Sequence, residues 1–233
     1  MSEGEPVDRS LHEAEVETRW EAGPAIVLVI VLQLALAVVS RWQGWTLWRL
    51  PWWSWLVVAV PEALLAVSLT WAPPRHQLEE MGHRRTAGLV LIGLIVVANG
   101  VALAGLVISV LLGEERDGAE LLFKGLTLWT TNVITFGVLY WALDRGGPVR
   151  RREADPPPAD FQFPQMENPE LAAPGWHPRI FDYAYVSFTN AIAFSPTDAM
   201  PLTHRAKVLM LVESAASSMT VLVIAARAVN ILR

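Results

Sequence analysis

Apolar residues in this chain come in long blocks rather than at helical or strand spacing. Residues 24–40, PAIVLVIVLQLALAVVS, form the first block, and 52–71, WWSWLVVAVPEALLAVSLTW, the second. The third, 86–112, is the longest and cleanest; the fourth runs through 121–143, and the last covers 205–231. About 20 such residues are needed to cross a hydrocarbon core of about 30 Å, so each block predicts a membrane-spanning helix. Inside lipid the backbone has to satisfy its own hydrogen bonds, which leaves helices or closed barrels. The alternating segments of about ten residues that mark a barrel do not occur. A shorter apolar helix is expected over 181–195. The fold class is therefore all-α: a polytopic helical membrane protein with five or six membrane segments. The short helix before the last span either crosses the membrane or turns back as a re-entrant segment.

The polar stretches divide the chain. An acidic N-terminal tail occupies 1–23, a four-helix membrane domain 24–143, and a proline-rich irregular connector 144–180. The remainder, 181–233, combines the short helix, a polar loop and the last span. Proline as dense as that of the connector blocks both helix interiors and central strands. Its aromatics, Phe161, Phe163 and Trp176, predict that it packs against the rest of the protein. Six tryptophans between Trp42 and Trp55 read as an interfacial belt, where the ring is apolar and the N–H stays wet.

Composition sharpens this picture. Of 233 residues, 53% are hydrophobic and 18% charged, less charge than a soluble domain usually carries. The start is acidic and lacks the basic opening of a signal peptide, so the first block is read as a retained membrane helix. There is no cysteine, which excludes disulfides, thiolate metal sites and cysteine nucleophiles. A net charge of −5 gives no reason to expect nucleic acid as a partner. With the N-terminus inside, the inner loops through residue 180 carry ten Lys or Arg and the outer loops three. The positive-inside rule then puts the connector in the cytoplasm.

Polar residues within the apolar blocks are the candidates for chemistry. Glu62 follows Pro61 in the second block, and Asn99 and Asn132 are placed to bond between helices. Lys124, near the start of the fourth block, is expected to reach the headgroups. Glu213 lies about two turns into the last block, with Ser217 four residues on and so on the same face. An ionisable residue at such depth costs at least about 2.5 kcal/mol on insertion scales, so it should face protein or water. Small hydroxyl residues beside it fit either close helix packing or a water-lined path. The five histidines show no metal-ligand spacing, and no phosphate loop, serine elbow or paired catalytic carboxylates appear. Neither enzyme chemistry nor a metal or cofactor is expected.

The segment 177–233 carries D-Y-x-Y-x-S-F-T, then F-x-x-T-D, R-x-K and a closing N-I. Asp182, Tyr183, Tyr185, Ser187, Phe188, Thr189, Phe194, Thr197, Asp198, Arg205, Lys207, Asn230 and Ile231 form this pattern. It resembles the C-terminal part of an uncharacterised family of bacterial predicted integral membrane proteins. The resemblance implies a multi-pass protein of the bacterial inner membrane, and that family has no agreed activity to transfer. A weaker similarity is to the pore of the tetrameric potassium-channel superfamily. Ala191–Ser195 then fall at the filter, Asp198 and Pro201 match the acid and proline that follow, and 205–231 looks like the inner helix. No glycine occupies the filter positions and Pro196 interrupts the loop, so potassium selectivity does not carry over.

The leading expectation is a channel-like, cation-selective protein with a pore-like unit at 183–220, surrounded by membrane lipid. It would work as a homo-oligomer, a tetramer if channel-like, and pass a monovalent cation. Its pathway would be lined by Thr189, Asn190, Phe194, Ser195, Thr197, Asp198, Glu213 and Ser217. Two alternatives remain open: a non-conducting scaffold or accessory subunit, and a proton-coupled carrier using Glu62 or Glu213. If the segment crosses instead, Asp198 or Thr203 is expected to cap the last helix.

Overall fold

The computed structural model describes residues 5–45, 79–114, 117–148, 150–152, 155–193 and 198–231, with isolated positions at 53, 60 and 63. The second apolar block with Glu62, and the loop residues Phe194, Ser195 and Thr197, fall outside them. Five long helices are described: α1 Glu5–Gln43, α2 Glu79–Leu111, α3 Gly118–Leu143, α4 Ile180–Ala193 and α5 His204–Ile231. Four stretches are long and apolar enough to cross a membrane: Ala22–Gln43, Thr86–Leu111, Gly118–Gly146 and His204–Arg227. α4 has 14 residues, about 21 Å of helix, which is short of a hydrocarbon core.

The acidic tail is not separate from the first span. α1 runs unbroken from Glu5 through Pro24, because LHEAEVETRWEA is made largely of good helix formers. α3 starts on Asp117, whose side chain accepts from the Ala119 N–H at 2.8 Å. It ends at Asp144, after which Gly146 and Gly147 take positive φ of 78° and 104° and turn the chain aside.

α3 is the central helix. Ala22 and Ile26 of α1 pack near Phe136, Tyr140 and Trp141 at its end, and Leu36 and Ala37 near Leu121 and Leu128 at its start. α1 and α3 are therefore antiparallel. Val29 meets Leu91 and Ile95, and Leu36 meets Ala102 and Leu106, so α2 runs parallel to α1. α5 is antiparallel to α3: Arg205 reaches the Leu143 carbonyl, Ser217 meets Asn132, and Ile224 covers Gly125. α4 lies along α3 so closely that a Cβ on Gly137 would stand 2.9 Å from the Ala184 Cα. Lys124 reaches back toward the start of α3. It is fully buried beside Leu121 and Leu128 and pairs with Glu120 one turn earlier at 2.6 Å. On a helix enclosed by its neighbours, the carboxylate is the nearer counter-charge.

The connector folds as a cap at the end where α3 stops and α5 begins. Its aromatics seat it: the Phe161 ring lies 5.0 Å from Tyr140 and 6.1 Å from Tyr183, and Phe163 lies 5.2 Å from Tyr183 and 6.0 Å from Trp176. Buried Asp144 accepts from the Asp160 N–H at 2.7 Å, the Phe161 N–H at 3.3 Å and the Tyr183 hydroxyl at 2.5 Å. Two short strands, β1 (Phe161–Gln162) and β2 (Met200–Pro201), pair antiparallel. The Leu202 N–H donates to the Asp160 carbonyl at 2.8 Å, and the Asp160 carboxylate takes the Thr203 hydroxyl and the Arg205 guanidinium. Thr203 caps α5, accepting from the Ala206 N–H at 3.2 Å.

Candidate functional site

Glu213 is completely buried, and three helices converge on it. From α3, the Tyr140 hydroxyl donates to Oε2 at 2.5 Å. From α4, the Asn190 Nδ2 donates to Oε2 at 2.6 Å and the Ser187 hydroxyl faces Oε1. Ser187 and Asn190 are three apart and so share one face of α4, the face turned to α3 and α5. Hydrogen bonds to a charged group contribute about 1.5–3 kcal/mol each. Three of them exceed the insertion cost of about 2.5–3.5 kcal/mol for an acid at mid-membrane.

The cluster extends in both directions. Asn190 Nδ2 also donates to the Met210 carbonyl at 3.0 Å, and its Oδ1 accepts from Ser214 at 3.0 Å. One turn along α5, Ser217 accepts from Asn132 Nδ2 at 3.1 Å. Farther across, Thr131 donates to Asn99 Oδ1 at 3.2 Å, and Asn99 Nδ2 reaches Thr135 at 3.5 Å. A polar layer thus crosses the bundle from α2 through α3 to α5. The Ser187 hydroxyl is 2.7 Å from the Val133 carbonyl as well as against Glu213, yet it has one hydrogen for two acceptors. When that hydrogen points to Val133, the contact with Glu213 holds only if the carboxyl carries a proton of its own.

Among the residues expected to line a pathway, Asn190, Glu213 and Ser217 come together, facing α3 within one chain. Thr189 is half-buried and returns its hydroxyl to its own helix, on the carbonyls of Tyr185 at 2.9 Å and Val186 at 3.0 Å. Asp198 is exposed, just before β2, and does not join the cluster. Asn99 and Asn132 make the interhelical bonds expected of them. Sequence reasoning does not single out Tyr140 and Ser187 as partners of Glu213, nor Asp144 and Asp160 as anchors of the cap. The available signal is the demand itself: a buried acid needs donors, and Tyr140 and Ser187 are polar residues on the adjoining apolar helices.

Among the described residues, no group of three or more His, Asp or Glu side chains could hold a metal ion. The chemistry on offer is that of one carboxyl among hydroxyl and amide partners. No family model, no curated protein and no solved structure matches the chain.

Proposed function

We propose that this membrane protein translocates protons, with Glu213 as the intramembrane group that takes up and releases them. The observation that supports this most is the buried Glu213 carboxyl held by Tyr140, Ser187 and Asn190. The Tyr140 and Ser187 hydroxyls donate to the carboxylate and can turn to accept from the protonated carboxyl, a setting suited to proton exchange rather than to a metal cation, which needs a shell of oxygen lone pairs. Ser187, with one hydrogen and two acceptors, supplies a local switch between a charged and a protonated carboxyl. Phe161, between Tyr140 and Tyr183, closes the cluster on the cap side, as an alternating-access site requires. In liposomes loaded with a pH-sensitive dye, an imposed potential should drive proton uptake. Glu213→Gln, nearly the same shape, should lower that flux at least tenfold. An unchanged flux in the variant would sink the assignment, and no flux of any ion in the native protein would leave a scaffold.

The second reading is the oligomeric cation channel, and one observation favours it. Residues 160–162 bond to 200–203, so both ends of the segment 180–203 stand at the cap end of the bundle. That arrangement supports a re-entrant α4, going part-way in and returning, as pore helices do. By the positive-inside count this end is cytoplasmic. Single cysteines at exposed Asp155 and Asp198 should then label with an impermeant thiol reagent from the same side. Labelling from opposite sides would make the segment a crossing helix and remove the channel reading.

A further inference from the structure

The chain leaves α3 through DRGGPVRRR at 144–152, four arginines and one aspartate. That aspartate, Asp144, is buried and already bonded to Tyr183 and two backbone amides. Arg151 is engaged as well. It donates to the carbonyls of Trp141 at 2.6 Å and Pro178 at 3.0 Å, and lies 4.8 Å over the Tyr183 ring. Arg205 donates to the Leu143 carbonyl at 3.1 Å and to Asp160. Two guanidinium groups therefore cover the last carbonyls of α3, whose negative helix end would otherwise repel an anion.

Arg145 is different. Its backbone is left-handed, φ 51° and ψ 30°, the only positive φ outside glycine among the described residues. Side chains other than those of Asn and Asp rarely adopt it, and such strain collects at functional positions. The guanidinium is partly buried, its Nε is enclosed, and it makes no hydrogen bond or ion pair among the described residues. Exposed Arg150 folds back over neighbouring Gly146, where a Cβ would stand 3.2 Å from the Arg150 Cδ. The strained turn therefore holds the Arg145 cation, without a counter-charge among the described residues and with the Arg150 side chain nearby, at the end of the span Gly118–Gly146, where hydrocarbon gives way to headgroups.

We propose that this corner binds the phosphate of an anionic phospholipid headgroup, with Arg145 as the principal contact and Arg150 beside it. The guanidinium fork matches phosphate oxygens in pairs. Basic residues just beyond a span are also where anionic lipid accumulates. The site depends only on the protein's lying in a membrane and is independent of proton movement through Glu213.

The test uses the full-length protein in vesicles of phosphatidylcholine alone or with phosphatidylglycerol, read by the thermal unfolding midpoint. Phosphatidylglycerol should raise the midpoint of the native protein. Arg145→Gly should change it in two opposite ways: a higher midpoint in phosphatidylcholine, because the strain is gone, and less than half of the phosphatidylglycerol increment. Arg145→Asn, which also accepts the left-handed backbone, is read in the same way if the glycine variant does not fold. A full increment in either variant overturns the proposal. An equal rise from millimolar inorganic phosphate in phosphatidylcholine overturns it too, because the corner would then take a soluble anion rather than a lipid.

Discussion

The two sides of α3 are built differently. Toward α1 and α2 it meets a packed apolar surface of Val29, Leu36, Ala37, Leu91, Ile95 and Leu106, crossed by the bonds of Asn99 to Thr131 and Thr135. On that side Gln33 of α1 is buried with both amide atoms unpartnered among the described residues. Toward α4 and α5 it meets a dense set of directed bonds around Glu213, closed by the aromatic cap. Lipid tails are as apolar as leucine, so burial alone holds membrane helices together weakly. The α1–α2 side relies on shape. The α4–α5 side relies on directed bonds that no water replaces in a dry interior, and that fixes which helix lies where.

Substitutions on the two sides should separate these strategies, and the largest effect is expected at Glu213. Glu213→Leu leaves the Tyr140 hydroxyl without its acceptor, at about 1–3 kcal/mol, and strips one bond each from Ser187 and Asn190, which keep the Val133 and Met210 carbonyls. Asn99→Leu frees Thr131, which already bonds the carbonyls of Thr127 at 2.9 Å and Leu128 at 3.0 Å, so its cost should stay below about 1 kcal/mol. Unfolding midpoints in detergent should fall several-fold further for the first. Equal losses would mean that the two sides are held alike.

Glycines provide a second contrast, with opposite signs. Gly137→Ala drives a methyl to 2.9 Å from the Ala184 backbone and should cost about 1–3 kcal/mol as α4 moves off α3. Gly93→Ala, in the middle of α2, meets nothing within 4 Å and should stabilise the same midpoint by about 0.5–1 kcal/mol. The smallest effect is expected at the latch between Asp160 of the cap and α5. Arg205 is 50% exposed, so Arg205→Gln should shift the midpoint by the equivalent of about 0–1 kcal/mol.

The four spans are legible because crossing a bilayer is a property of consecutive residues, readable block by block. Glu213 is legible for the same reason: an acid inside such a block stands out. Its partners are not, because Tyr140 lies 73 residues away and Ser187 26, and nothing local encodes which helices meet. The connector's aromatics announce that it packs, but its form depends on Asp144 catching the amides of Asp160 and Phe161, a match no periodicity reveals. The complete burial of Lys124 beside Glu120 is not legible, because the enclosing helices come from distant parts of the chain. Thr203 is readable as a cap from its place just before a helix.

The separation of Tyr140 from Glu213 also affects how the protein is made. The ribosome releases α3 into the membrane before the acid that satisfies it exists. At about 5–20 residues per second, the 73 intervening residues take about 4–15 s to appear. Throughout that interval the Tyr140 hydroxyl and the Asn132 amide lack their final partners in lipid. A nascent chain stalled before α5 would keep these polar atoms without the partners that only the last helix brings.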